Sequence, residues 1–431
     1  MKKLLLVALV ALMIFGCKKN NTPGIVPITP DQKPKTYSNK IVLNDVKVAA
    51  DSLKLSWSML DTAKFTQYSL FRRDYPGGQM LPIKQLYKKD ETSVADVSVP
   101  YSPLVQYQVV GSLSSGTLIS SNIVSYSRPN ITVLNINPFD VIYSNTDQLL
   151  YFFEKNGNIS IYDLQKNAIT KTISTAATIG YCDFGSYNGK KELYVPRTDG
   201  WIFVYDAATL EKITQISIGL STSCVVFDNN NLFVSTAAWT QRPLKVYNRA
   251  TGQKIAENGD FELTRFKKVP NSNTDLLEIT ITIGPTDQDY YKFMPNGTFV
   301  SHMNDTYHGD YPLDASIFEF FPDGGKYITS SSGAIYNKSM IYETSLPRGN
   351  LSFTTFALNQ VNQLIYAGCQ NKNVEVYSMN NYTHVKTITT NAYPFKIFDN
   401  NDKILCISKT TMFNSYSSTD NNKIVIENLN K

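Results

Sequence analysis

The chain has 431 residues, of which 42% are apolar and 18% charged, a composition that excludes an intrinsically disordered or tail-like polypeptide. A formal charge of +5 is too small on this length to indicate nucleic acid, so no nucleic-acid partner is expected. Three histidines, against 27 tyrosines and 22 phenylalanines, argue against a His-rich metal enzyme.

The first element is an address. Lys2 and Lys3 precede the apolar run from Leu4 to Phe15, which is too short to span a bilayer. The chain turns polar at Lys18-Lys19-Asn20-Asn21, directly after Gly16-Cys17. Residues 1–16 therefore read as a signal peptide. The segment Ile14-Phe15-Gly16-Cys17 resembles a bacterial lipobox, with Ile14 where Leu is more usual and Phe15 where a small residue is. The resemblance implies a lipoprotein whose mature chain begins at Cys17 and is held in a membrane of the cell envelope by fatty-acyl (palmitate-type) chains. The Lys18-Lys19 pair lacks the Asp that would retain such a protein in the inner membrane, so an outer-membrane location is expected. Residues 17–38 carry Pro23, Pro27, Pro30 and Pro34 with little hydrophobic period, the pattern of an extended tether.

Residues 39–129 read as a small β-sandwich. Leu53, Leu55 and Trp57 alternate with polar residues, as do Tyr68, Leu70 and Arg72 and then Val105, Tyr107 and Val109, with a Pro76-Gly77-Gly78 turn between. The order of Trp57, Tyr68 and the strand around Tyr107 resembles the fibronectin type III family. That resemblance implies an Ig-like sandwich serving as spacer or adhesive module, without disulfides; the segment contains no cysteine.

Residues 130–431 contain a repeat. Four-residue strands ending in tyrosine occur at Ile159–Tyr162, Ile202–Tyr205, Leu244–Tyr247 and Val374–Tyr377. Degenerate copies are expected at Tyr290–Phe293 and Ser339–Tyr342, and a seventh at Phe413–Tyr416. The mean period of about 42 residues, with four short strands in each, is that of a β-propeller blade. Blades bury both faces only against each other, so the ring must close. The expected fold is all-β: the sandwich followed by a seven-bladed β-propeller. Val204-Tyr205-Asp206-Ala207-Ala208-Thr209-Leu210 and Val246-Tyr247-Asn248-Arg249-Ala250-Thr251-Gly252 resemble the YVTN-type and quinoprotein-like repeats. The Gly-His and Trp-Asp pairs of tryptophan–aspartate repeats are absent. Lys423 to Leu429 is a candidate to complete the last blade. Ile131 to Ile136 is a spare strand that either pairs onto that blade or leads out of the sandwich.

The chain shows no nucleophile elbow, no His-Glu-x-x-His, no Cys-x-x-Cys and no phosphate loop, so no catalytic residue and no cofactor is assigned. The one polar cluster with ligand-type residues is His302, Asp305, His308 and Asp310, a candidate cation loop. Trp239, in the loop Ala237 to Pro243, is the candidate ligand-binding aromatic. Cys182, Cys224, Cys369 and Cys406 are expected as buried free thiols in strands. The expectation is a membrane-anchored module, more binding protein than enzyme, with a glycan, peptide or protein partner. Two other readings stay open: a propeller enzyme (lyase, hydrolase or quinone-dependent oxidoreductase) with catalytic groups dispersed over several blades, and a structural subunit of an envelope complex.

Overall fold

The computed structural model describes residues 40–49, 52–75, 77–412 and 423–431. The signal segment, Cys17, the tether and the copy at Phe413–Tyr416 lie outside them. Every element among the described residues is a β-strand. The first eight strands form two facing sheets. One orders Lys47–Ala49, Ser52–Ser56 and Ser93–Asp96. The other orders Leu81–Leu86, Phe65–Arg73, Val105–Leu113 and Leu118–Ser120, with Val124–Tyr126 also paired to Val105–Leu113. Strand alternation places Leu53, Leu55, Trp57, Tyr68, Leu70, Tyr107 and Val109 in the shared core. Trp57 meets Tyr68 edge-on at 5.5 Å. The Tyr107 hydroxyl donates to buried Asp96 at 2.8 Å, and Asp96 is in turn paired with Arg72 at 2.9 Å.

Among the described residues, the rest of the chain makes seven four-stranded antiparallel sheets. The first six are simple meanders in chain order, beginning at the inner strands Asp140–Ser144, Asp183–Tyr187, Thr222–Asp228, Thr264–Lys268, Phe318–Phe320 and Phe353–Asn359. Second and third strands are buried on both faces, which is why Leu149–Phe153 and Asn231–Thr236 read as unbroken runs with little alternation. Fourth strands such as Ala168–Ser174 face water. Each sheet packs on the next through one apolar cluster. The first and second share Tyr151, Phe153, Ile159, Leu193 and Val195. The seventh sheet packs on the first in the same way, with Leu405, Ile407, Ile424 and Ile426 against Val141, Leu150, Phe152 and Tyr162. The sheets therefore close into a ring.

The seam is made from the first and last strands that follow the sandwich. Tyr393–Asn400, Lys403–Lys409 and Ile424–Asn430 supply three strands of the last sheet, and Ile131–Leu134 supplies the fourth. Leu134 lies opposite Ile424 and Ile131 opposite Glu427. Of the two roles considered for the spare strand, the structure takes the pairing one, which removes an open edge from the ring. On the sandwich side, the Tyr101 hydroxyl donates to the Asn391 carbonyl at 2.6 Å.

The recurrent tyrosines mark a device. Tyr162, Tyr205, Tyr247 and Tyr377 each sit at a register shift in the third strand of their sheets. In the first three sheets the next residue, Asp163, Asp206 or Asn248, accepts from the backbone N–H groups two and three positions on, capping the turn to the outer strand. Phe293 takes the tyrosine's place in the fourth sheet, as expected. The fifth copy is corrected. Its bulge falls at Tyr336, in Ala334–Asn337, while Tyr342 opens the outer strand Tyr342–Ser345. The two central strands of this sheet have only four residues each and a tight turn between.

Gly180 lets two sheets touch through backbone. A Cβ there would lie 2.0 Å from the Ser223 carbonyl oxygen, and Tyr181 N–H donates to that same oxygen at 2.8 Å. The four cysteines among the described residues are buried and free. Cys182, however, precedes its strand, which starts at Asp183. Burial pushes the Cys224 thiol up to about 12, so it is inert at neutral pH.

Candidate functional site

All seven inner strands converge on an axial cavity of about 480 Å³. Polar and charged residues line it because an inner strand pairs with its sheet along one edge only and leaves the other edge toward the axis. Asp140, from the first sheet, pairs with Lys396 of the seventh at 2.9 Å and with Arg265 of the fourth at 3.4 Å. The contact with Lys396 bridges the two sheets of the seam, and the contact with Arg265 reaches across the axis to a sheet that is not a neighbour. Lys267 pairs with Glu319 at 2.6 Å, and Lys268 pairs with Asp228. Burial would raise the Asp140 carboxyl, yet Lys396 and Arg265 together hold it below its ordinary value. Burial, joined by Arg265 and Lys396, brings the Lys267 amine down to about 8 despite Glu319. Burial also lifts Asp183 to about 6 and Tyr181 to about 12.

The end of the ring where the inner strands begin has an aromatic and cationic mouth. Arg265 lies 4.0 Å over the ring of Tyr181, and Lys155 lies 3.9 Å over that of Phe139. Phe139 meets Tyr181 edge-on at 5.5 Å. Trp239 stands at this same end, in the loop between the second and third strands of the third sheet, and is 80% exposed. Its neighbour Arg242 reaches Asp260 at 3.5 Å.

The structure separates the polar quartet read from the sequence. His302 is on the outer strand of the fourth sheet, facing Asp289 at 3.1 Å. Asp305 is buried and accepts from Gln288 at 3.2 Å and from Tyr307 N–H at 3.2 Å. His308 is exposed and faces Asp287 at 3.3 Å, and Asp310 is exposed. Among the described residues, ligand atoms of three such side chains gather at one place only, where Asp260, Asp289 and His302 lie within 4.8 Å of one another.

Strand register builds that cluster. Glu278 lies directly opposite Asp289, and Tyr291 opposite His302. The Tyr291 ring stacks on the His302 ring at 4.5 Å, with 4° between planes, and its hydroxyl donates to Asp289 at 3.2 Å. Glu278 is 1% exposed, and neither of its carboxyl oxygens has a hydrogen-bond partner. Burial first, and Asp289 second, raise it to about 8. Sequence reading missed Asp260, Asp289 and Glu278. The legible signal was a carboxylate inside the apolar strand Leu276-Leu277-Glu278-Ile279.

Glu278 also gives a pH prediction. Its unfolded-state value is about 4.3, so the folded chain holds the extra proton between there and about 8. Stability then falls as pH rises through that window. In chelator-treated protein, Glu278→Gln is expected to flatten the fall of the urea midpoint across it. An unchanged slope would contradict the assignment.

No protein-family model and no curated protein sequence matches the chain. Solved structures do match in shape. The WD40 repeats of RRP9 and the structure of U3-55K each align with a TM-score of 0.51 at 11% identity. Both alignments cover 69% of this chain, with 97% of RRP9 and 98% of U3-55K. The ring is a β-propeller. At this identity the likeness concerns the fold alone, and the propeller reaches it without the Gly-His and Trp-Asp pairs of that repeat class.

Proposed function

We propose that this chain is a lipid-anchored envelope protein in which a fibronectin type III-like sandwich carries a seven-bladed propeller that binds a partner without catalysis. The YVTN-like character of its repeats belongs to the same reading. The observation that carries the binding role is Trp239. A tryptophan left 80% exposed on a loop at the mouth of the ring is a costly surface residue and a strong anchor for a ligand. It shares its loop with Arg242 and stands at the same end as the Phe139–Tyr181 mouth, a combination suited to a sugar ring or an aromatic-accepting peptide. The pairing of axial charges with one another supports a structural use of much of the cavity.

The test has two parts. Cys17→Ser is expected to move the protein from the membrane fraction to the soluble one. Trp239→Ala is expected to weaken capture of a hit from a glycan or peptide array at least about tenfold, with an unchanged melting temperature. Unaltered capture would end the role given to Trp239.

One observation favours an enzyme instead. The cavity has the volume of a small-molecule site and holds a lysine brought to about 8 and an aspartate raised to about 6. Turnover of an array hit that is lost in Lys267→Met would establish that second reading.

A further inference from the structure

We propose that Asp260, Asp289 and His302 form a binding site for a first-row divalent cation of the zinc or manganese type, on the fourth sheet toward the end of the ring where the inner strands begin. Three ligand atoms lie within 4.8 Å of one another, and His302 Nε2 stands 3.1 Å from Asp289 Oδ2. Atoms each about 2.1 Å from a shared ion lie roughly 3.0–3.4 Å apart, so this pair already has the spacing of one edge of a coordination polyhedron.

A chance acidic cluster would satisfy its own polar atoms, and this one does not. His302 Nε2 makes no hydrogen bond, because its approach to Asp289 is out of line for one. Asp289 Oδ1 is likewise without a partner on a side chain only 1% exposed. Both oxygens of Glu278, across the ladder, are in the same condition. Leaving such atoms buried and unpaired is unfavourable, and a cation supplies the missing partner. The surroundings also hold the ligands in place. Tyr291 stacks on the imidazole and donates to Asp289, fixing both side chains as an outer coordination shell does. Asp260 is half exposed and held by Arg242, so the site has an outward side at which the ion keeps water and Arg242 is displaced when it binds.

The donor set decides the ion. One imidazole with two carboxylates suits zinc or manganese, whereas calcium and magnesium prefer oxygen alone. Glu278 stands beside Asp289 as a further carboxylate that the ion's charge would draw into its ionised form.

The test uses the mature chain, stripped with chelator and dialysed. Addition of ZnCl2 or MnCl2 is expected to raise the melting temperature and to leave close to one equivalent of metal by mass spectrometry, with CaCl2 and MgCl2 without effect. Asp289→Asn and His302→Ala are expected to weaken binding at least about tenfold, and Tyr291→Phe by a smaller factor. Asp305→Asn and His308→Ala serve as neighbouring controls with unchanged affinity. Circular dichroism establishes that each variant is folded, and Asp289→Asn, nearly isosteric, carries the test if His302→Ala is not. No zinc or manganese binding by the parent chain, binding that survives Asp289→Asn, or a preference for calcium or magnesium would overturn the proposal.

Discussion

Phe152→Ala is expected to destabilise the propeller by about 3–5 kcal/mol. The side chain is fully buried in the cluster that joins the first sheet to the seventh. Phe233 is its natural comparison, because it is equally buried between the third and fourth sheets, which adjoin in sequence. If the ring is closed in solution, both replacements leave comparable cavities and lower the urea midpoint alike. If the first and seventh sheets are apart in solution, Phe152 already faces water and its replacement costs far less than that of Phe233. Equilibrium urea unfolding of the two variants side by side decides between these outcomes.

Asp140→Ala is the second large expected effect, again about 3–5 kcal/mol, since it leaves two buried cations without their partner. Arg265 and Lys396 come from the fourth and seventh sheets, so the loss loosens three sheets at once. The sign with pH follows from the direction of the shift. The Asp140 carboxyl is held below its unfolded value, so its stabilisation is complete above that value, about 3.9, and fades as acid drives the pH through the lower folded one. The gap between parent and variant should therefore stay constant from about pH 5 to pH 8 and narrow below about pH 4. A gap that persists unchanged into strong acid would show that Asp140 acts through packing and not through charge.

The ring was legible because its information is local. Tyr162, Tyr205 and Tyr247 each precede an Asp or Asn that caps the next turn, a signal contained in six or seven consecutive residues. The same locality explains the error at Tyr342. Tyr336 falls on the period, 43 residues after Phe293, but Ser339–Tyr342 directly after it also has four residues ending in tyrosine and imitates the motif. Cavity and cation cluster were not legible, because neither is local. Asp140, Arg265 and Lys396 meet only once the ring is closed. His302 was selected for its sequence neighbours, whereas its actual companions arrive from the adjacent strand and from the loop that leads into its own sheet from the third. A charged residue in an apolar strand, as at Glu278, is the one local trace such a site leaves.

The seam has a consequence for synthesis. Six of the sheets are meanders whose strands leave the ribosome one after another, so each can assemble while the next is being made. Ile131–Leu134 emerges before all of them yet waits for Ile424–Asn430, which is made after all of them. Any nascent or prematurely stopped chain thus carries a ready strand with no mate, and for that interval it is open to pairing with a second copy of itself.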